Sequence, residues 1–204
     1  MLKRPVHRGF TVVELMVALT IAGMLMMLGM PAFVSLLNNS QVRAAAEGVQ
    51  TGLQLARAEA VKRNTAVRFQ LTSTADNSCA ISTAGRNWVV SLDDPVGACA
   101  AATSDTTAPR IAMARPASEG GSNVTVAGFL AGTPANGQAV AIFNGLGQLT
   151  TPAAGINFRF TNPGADACAG QGGDLRCLQV NVSRSGQIRM CDPNRSDVND
   201  SEAC

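Results

Sequence analysis

Residues 3–37 read KRPVHRGFTVVELMVALTIAGMLMMLGMPAFVSLL, and this stretch decides the fold of the chain. A short basic leader ends at Gly9, and an apolar run then extends from Phe10 to Leu37 with Glu14 as its single charge. Because roughly 20 apolar residues in a helix cross a bilayer, the run is long enough to span a membrane. A carboxylate at mid-bilayer costs about 2.5–3.5 kcal/mol, so Glu14 marks a candidate functional site.

The leader determines the predicted orientation of this run. Its three basic side chains, Lys3, Arg4 and Arg8, keep the N-terminus cytoplasmic under the positive-inside rule, so the rest of the chain lies outside the inner membrane. An ordinary secretory signal has an apolar region of about 7–15 residues, and this run is too long for one. A plain membrane anchor fits the length but leaves Glu14 unexplained.

The segment Gly9–Leu15 resembles the processing site of type IV pilins and type II secretion pseudopilins. The resemblance implies that a prepilin peptidase cuts after Gly9 and N-methylates Phe10. Cleavage creates an amine at Phe10, and the Glu14 carboxylate suits both the helix dipole and an amine partner on the same or a neighbouring subunit. We therefore predict that residues 1–9 are a leader peptide and that Glu14 sets the register of an incoming subunit.

The composition excludes several kinds of active site. His7 is the only histidine, it lies in the leader, and the chain has no tyrosine. The processed chain therefore has no Ser-His-Asp or Cys-His nucleophilic site and no His-ligated metal. It carries 13 basic against 14 acidic residues, so its bulk charge gives no reason to expect nucleic-acid binding. We predict that the chain is not an enzyme and holds no metal and no cofactor.

All six cysteines follow the apolar run, and an even number in an oxidising compartment predicts disulfides. The chain has no Cys-x-x-Cys, so a thiolate metal site is not favoured. Fifteen connectivities are possible for six cysteines. The spacing favours three sequential local pairs, namely Cys79 with Cys99, Cys168 with Cys177 and Cys191 with Cys204.

The helix is predicted to continue past the apolar run, from about Phe10 to Arg63. Polarity rises between residues 38 and 63, but apolar side chains recur at helical spacing, and this stripe would pack against the globular domain. Asn64 is a stop signal. Pro31 removes one backbone hydrogen bond, which makes it a candidate bend point for packing into an assembly. The stripe consists of Val42, Ala45, Val49, Leu53, Ala56 and Ala60.

From Thr65 onward the pattern changes to short runs rich in Val, Ile and Phe, separated by turn residues, which is typical of strands. The predicted fold class is therefore α+β. Residues 10–37 form the transmembrane or filament-core half of the helix, residues 38–63 the amphipathic half, and residues 64–204 a β-rich periplasmic globular domain with a loop at 97–110. The predicted strands are 65–72, 79–83, 87–92, 124–130, 139–143, 156–160, 177–183 and 186–191.

Two further segments narrow the resemblance to the pilus branch of the GspH/FimT family. Residues 55–64 read LARAEAVKRN, which is similar to the end of that family's helix, and residues 185–193 read SGQIRMCDP, which is similar to a late strand. Type II secretion members usually lack the Cys-Asp-Pro tail. The resemblance implies the type IV pilin-like fold, a long N-terminal helix packed on a β-rich domain that usually has two small sheets.

The resemblance also implies a structural role, that of a minor pilin which primes or caps a type IV pilus at its tip and so serves adhesion and twitching motility. The implied partners are the prepilin peptidase, other minor pilins, the major pilin and a tip adhesin. Before assembly the subunit would be a single-pass inner-membrane protein, and afterwards it would lie in the pilus at the cell surface. A type II secretion pseudopilin is an alternative.

DNA capture during natural transformation is a further alternative. Some relatives bind DNA through a C-terminal Gly-Arg-x-Arg motif, and the matching stretch here, Gly186–Arg189, has Gln187 in place of the first Arg. Arg184 and Arg195 are the side chains that would replace the lost charge. Phosphate contacts by Arg184, Arg189 and Arg195 would have to overcome several carboxylates in the same tail. The competing interpretation is a solvated strand edge followed by a loop that a disulfide closes.

Overall fold

The computed structural model describes residues 10–117, 123–165, 167–195, 197 and 199–204, with the backbone alone at 28, 29, 31 and 32. Gly9 and the rest of the predicted leader lie outside the described residues. The chain divides into two compact units, one ending at Leu37 and the other running from Asn38 to Cys204. A single helix, α1 (Val12–Arg63), contributes residues to both units.

Up to Leu37, α1 exposes its apolar side chains. Each large apolar side chain described between Val12 and Leu37 is at least 44% exposed. The helical backbone continues through Pro31. No helix in the part of the chain that the structure describes is long and apolar enough to cross a membrane.

From Asn38 onward, α1 buries the predicted apolar stripe, with one difference. Ala46 is fully buried where the periodicity favoured Ala45, which is half-buried and packs against the same core. Because a helix turns by 100° per residue, two adjacent positions lie close to the centre of such a stripe, and the neighbouring side chains decide which is covered. The buried members are Val42, Ala46, Val49, Leu53, Ala56 and Ala60.

The end of α1 at Arg63 confirms the predicted stop at Asn64. Asn64 has a left-handed backbone, with φ of 47°. Its amide donates to the Val61 carbonyl at 3.3 Å, and the Thr65 amide donates to the Ala60 carbonyl at 3.2 Å. These two bonds form a Schellman motif, which satisfies carbonyls that the helix end would otherwise leave without partners.

In the part of the chain that the structure describes, ten strands follow the helix and form two antiparallel five-stranded sheets. The first sheet has the order β3-β2-β1-β6-β7 and the second the order β10-β9-β8-β4-β5. The strands are β1 (Val67–Thr72), β2 (Asn87–Ser91), β3 (Ile111–Arg115), β4 (Thr125–Leu130), β5 (Thr133–Gly137), β6 (Val140–Phe143), β7 (Leu149–Thr151), β8 (Ile156–Thr161), β9 (Leu178–Val182) and β10 (Ile188–Cys191).

Seven of the eight predicted strands are confirmed within a few residues, and the strand at 79–83 is wrong. Among the described residues, its only ladder contact is a single bridge between Ile81 and Thr72. Cys79 is tied to Cys99 instead, which holds this segment as an irregular loop. Three strands at sheet edges, β3, β5 and β7, were not predicted, because β3 and β5 each carry one β-branched residue and β7 is only three residues long. The region 97–110 has no strand, as predicted.

The core lies between the inner faces of the sheets and the buried stripe of α1. Phe69 of β1 is at its centre, with its ring 5.5 Å from the rings of both Trp88 and Phe158. A smaller cluster of Cys79, Val89, Cys99 and Ile111 is buried separately.

Three disulfides close local loops of this unit. They join Cys79 to Cys99, Cys168 to Cys177 and Cys191 to Cys204, which is the sequential pairing favoured by the spacing. The first joins the loop after β1 to the loop after β2. The last ties the end of β10 to residue 204, so the loop between them forms a closed ring.

Candidate functional site

The N-terminus of α1 is capped, and the helix begins two residues after the predicted cleavage point. Thr11 immediately precedes the helix, and its hydroxyl oxygen accepts a hydrogen bond from the Glu14 amide at 3.2 Å. The Thr11 carbonyl accepts from the Leu15 amide at 3.1 Å. A Thr followed by Glu three residues later is the spacing of a capping box, and the structure forms the half of it in which the threonine hydroxyl caps the helix.

Phe10 and Glu14 lie on either side of this cap. Phe10 is 86% exposed, and Glu14 is an exposed residue of the first helical turn. Among the described residues, the Glu14 carboxylate has no hydrogen-bond or ion-pair partner. The positive end of the helix dipole lies at this terminus, so a carboxylate is favoured at this position. The unpaired Glu14 carboxylate can therefore attract an amine.

The C-terminal loop, residues 191–204, is held by two guanidinium groups. Arg176 donates from Nε to Asp192 at 3.2 Å and from Nη2 to Glu202 at 2.6 Å. Arg195 lies 2.7 Å from Asp200, 3.0 Å from Glu202 and 3.8 Å from Asp192. The hydrogen bond from Arg195 lowers the pKa of Asp200. Three of the four acidic side chains of the tail, Asp192, Asp200 and Glu202, are thus paired with arginine within the chain.

This loop is also attached to the helix. The Arg176 amide donates to the Asn39 side-chain oxygen at 2.7 Å, and the Asn39 side-chain amide lies 3.4 Å from the Asp174 carbonyl. Asn38 accepts from the Asn162 side chain at 3.2 Å. The disulfide-closed loop is therefore fixed to the beginning of the Asn38–Cys204 unit through Arg176.

The three arginines considered for DNA differ in how accessible their guanidinium groups are. Arg195 is engaged by the three carboxylates of the tail. Arg189 on β10 donates to the Ala203 carbonyl at 2.9 Å. Arg184 is exposed in the turn between β9 and β10, and its side chain has no partner in the described part of the chain. Among the described residues, Arg195 is therefore paired with carboxylates, Arg189 uses one donor on a carbonyl, and Arg184 has no partner.

Two residues of these sites were not predicted from the sequence, and one of them has a signal in its spacing. Thr11 stands three residues before Glu14, so its role as a helix cap could have been found from spacing alone. Arg176 had no such signal, because its carboxylate partners lie 16 and 26 residues away. Among the described residues, no group of acidic, histidine or cysteine side chains has an arrangement that could hold a metal ion.

Comparisons with known proteins give two sequence matches. The profile of the family described as Type II transport protein GspH matches residues 45–186, and the profile described as the prokaryotic N-terminal methylation motif matches residues 4–30. No curated protein matches the chain.

Three solved structures illustrate the similarity. The type IV minor pilin FimU of Pseudomonas aeruginosa has a TM-score of 0.47 and 14% identity, over 77% of this chain and 92% of that one. The minor pseudopilin EpsH from the type 2 secretion system of Vibrio cholerae has a TM-score of 0.45 and 12% identity, over 76% and 99%. E. coli GspH has a TM-score of 0.39 and 14% identity, over 76% and 89%. The family assignment rests on the two sequence profiles.

Proposed function

The chain belongs to the GspH family of structural pilins and pseudopilins, and from this premise we propose that it is a minor pilin that primes or caps a type IV pilus at its tip. Members of the family are processed by a prepilin peptidase and assemble with other pilins. The partners proposed for this chain are accordingly the peptidase, other minor pilins, the major pilin and a tip adhesin.

The exposed apolar half of α1 carries this proposal. A large exposed apolar surface marks a site of protein or membrane interaction, because its contact with water is unfavourable. We assign the inner membrane as its environment before assembly, with the Asn38–Cys204 unit in the periplasm, and neighbouring helices as its environment in the filament. Membrane insertion of residues 10–37 stays a prediction.

The capped helix start supports the proposed role of Glu14. Cleavage after Gly9 would place an N-methylated amine at Phe10, next to the residue that caps α1. The Glu14 carboxylate, which has no partner in the described part of the chain, would then pair with the amine of a neighbouring subunit. Burial of both groups in an assembly strengthens such a pair, because the local dielectric falls. Pro31 is the proposed bend point within the same half of α1.

The C-terminal ring favours the pilus branch over a type II secretion pseudopilin. The Cys-Asp-Pro tail is present, and its disulfide is formed between Cys191 and Cys204. DNA capture is a second candidate, favoured by the exposed Arg184. A titration of double-stranded DNA at two salt concentrations tests it, because phosphate contacts weaken as salt rises. Binding that Arg184→Ala leaves unchanged would argue against that site.

The assembly role is tested by replacing Glu14. We expect Glu14→Val and Glu14→Gln to lower the amount of this subunit in sheared filaments by about tenfold or more, the effect of losing one favourable charge pair in a desolvated site. Glu47→Gln is the matched control, since Glu47 is an exposed carboxylate on the same helix. Normal incorporation of both Glu14 variants would contradict the proposal.

A further inference from the structure

The turn between β6 and β7 is a rigid element built against the end of α1. The side-chain oxygen of Asn144 accepts from the amides of Leu146 and Gln148, both at 3.0 Å. Gly147 has φ of 73°, which favours glycine. A Cβ on Gly145 would lie 2.4 Å from the Asn64 side-chain oxygen. These features fix the backbone that carries Leu146.

A second turn supports the first one from the other sheet. The Leu149 amide donates to the Arg184 carbonyl at 3.1 Å. Gly186 approaches so closely that a Cβ there would lie 1.9 Å from the Gly147 carbonyl oxygen. Arg57 of α1 donates from Nε to the same carbonyl at 3.1 Å. Three elements therefore converge on Gly147, and little freedom is left to the turn.

This rigid turn presents an apolar side chain to solvent. Leu146 is 77% exposed, although turns normally carry polar residues and glycine at such positions. Val61 of α1 is 51% exposed, and its side chain lies close to Gly147. We call Arg57, Val61, Leu146 and Arg184 the turn patch. Because the backbone of this turn is already fixed, covering Leu146 with a partner costs no ordering of the main chain.

The charge of the turn patch indicates what covers it. Arg57 and Arg184 have no carboxylate partner in the described part of the chain. Most other basic side chains there are paired, as between Arg68 and Asp94 or between Arg110 and Asp93. Arg57 and Arg184 thus place two charges without a carboxylate partner among the described residues on the elements that meet at Gly147, the turn that carries the exposed Leu146. Such a combination complements a surface that has both a carboxylate and an apolar side chain.

We propose that the turn patch is the docking surface for the globular domain of a neighbouring pilin subunit, which places a carboxylate against Arg184 and an apolar side chain against Leu146. The choice of a protein rather than DNA follows from Leu146, because an exposed aliphatic tip suits an apolar partner better than a phosphate backbone does. Arg57 and Val61 of the patch also belong to α1, the helix whose apolar half we assign to the filament. The inference rests on the proposed function.

The test is site-specific photo-cross-linking of the full chain in cells that assemble filaments. A photoreactive amino acid is placed at Leu146, at Leu25 in the apolar half of α1, and at Ile81, an exposed residue remote from the turn patch in sequence. We expect both Leu146 and Leu25 to give adducts with a pilin subunit, with Ile81 as background. Arg184→Glu should lower the yield at Leu146 about fivefold, the effect of one rim charge, and leave the yield at Leu25 unchanged.

The outcomes separate the two proposals. Adducts at Leu25 without adducts at Leu146 would overturn the docking surface and leave the pilin assignment intact. Adducts at Leu146 that nuclease removes would identify DNA as the partner and also overturn it. No pilin adduct at either position would contradict the proposed function and the inference that rests on it.

Discussion

The two halves of α1 belong to one continuous helix but differ in whether their apolar side chains are buried. Between Val12 and Leu37, the large apolar side chains described are exposed, whereas between Asn38 and Arg63 a stripe from Val42 to Ala60 is buried in the core. The more apolar half is therefore the more exposed one. Hydrophobicity alone does not decide burial within a subunit, since a covering surface must also be available in the same chain.

The comparison also separates two sources of helix stability. The second half is held by tertiary packing, which supplies most helical stability in proteins. The first half depends on its own backbone hydrogen bonds, on the Thr11 cap and on whatever surrounds it, be it lipid or neighbouring helices. Substitutions in the second half should consequently change the free energy of unfolding, whereas substitutions in the first half should change the helix content.

The largest difference in the free energy of unfolding is expected between the variants Leu53→Ala and Leu19→Ala. Leu53 is fully buried and Leu19 is exposed. We expect Leu53→Ala to lower the free energy of unfolding of the Asn38–Cys204 unit by about 2–5 kcal/mol, from lost burial plus the cavity left behind. Leu19→Ala should leave it within about 0.5 kcal/mol. The measurement is denaturant unfolding of the full chain in mild detergent, followed by fluorescence of Trp88, the only tryptophan. Equal effects would refute the comparison.

Gly52→Ala against Gly23→Ala applies one substitution to both halves. A Cβ at Gly52 would lie 2.9 Å from atoms of the Phe69 and Trp88 rings, whereas nothing lies within 4 Å at Gly23. We expect Gly52→Ala to destabilise the unit by about 1–3 kcal/mol through overpacking. Gly23→Ala should instead raise helix content, because Ala is favoured by about 1 kcal/mol in a helix interior.

The contrast can be checked with two signals from the same samples. Far-ultraviolet circular dichroism reports the helix content, and Trp88 emission reports the packing around Gly52. A Gly52→Ala protein with unchanged Trp88 emission and unchanged stability would show that the close contact is not a constraint in solution.

The elements that were readable from the sequence are those whose cause is local. The stripe on α1 follows from helical periodicity, the helix end from Asn64, and the disulfides from short spacings. The edge strands were not readable, because Ile111–Arg115 and Leu149–Thr151 become strands only through pairing with β2 and β6. The acidity around Arg195 was readable, since its carboxylates lie within seven residues of it in sequence, whereas the pairs that form depend on how the loop folds.

Asn64→Ala should have an intermediate effect, at the point where the helix gives way to the sheets. A left-handed backbone costs a residue with a Cβ about 1–2 kcal/mol, and asparagine tolerates it better than alanine. We expect Asn64→Ala to destabilise the unit by about 1 kcal/mol in the Trp88 unfolding assay. Asn64→Gly is the matched control and should stay within about 0.5 kcal/mol of the parent, because glycine adopts this backbone freely. Equal losses in both variants would assign the effect to the asparagine side chain instead.

Acidification should give the smallest difference between the two regions. The hydrogen bond from Arg195 lowers the pKa of Asp200, so the pair stabilises the C-terminal ring above the usual carboxyl range and is lost as the pH falls through the lowered pKa. We therefore expect amide exchange in residues 191–204, corrected for its intrinsic pH dependence, to accelerate below about pH 4. The first half of α1 has Glu14 as its single ionisable side chain, and its helix content should change little over the same range.

Asp200→Asn removes the titrating group and should accelerate exchange already at neutral pH, with less further change on acidification. If the ring kept its protection in acid, the disulfide and the remaining contacts would hold it without the ion pair, and the low pKa of Asp200 would have no structural consequence.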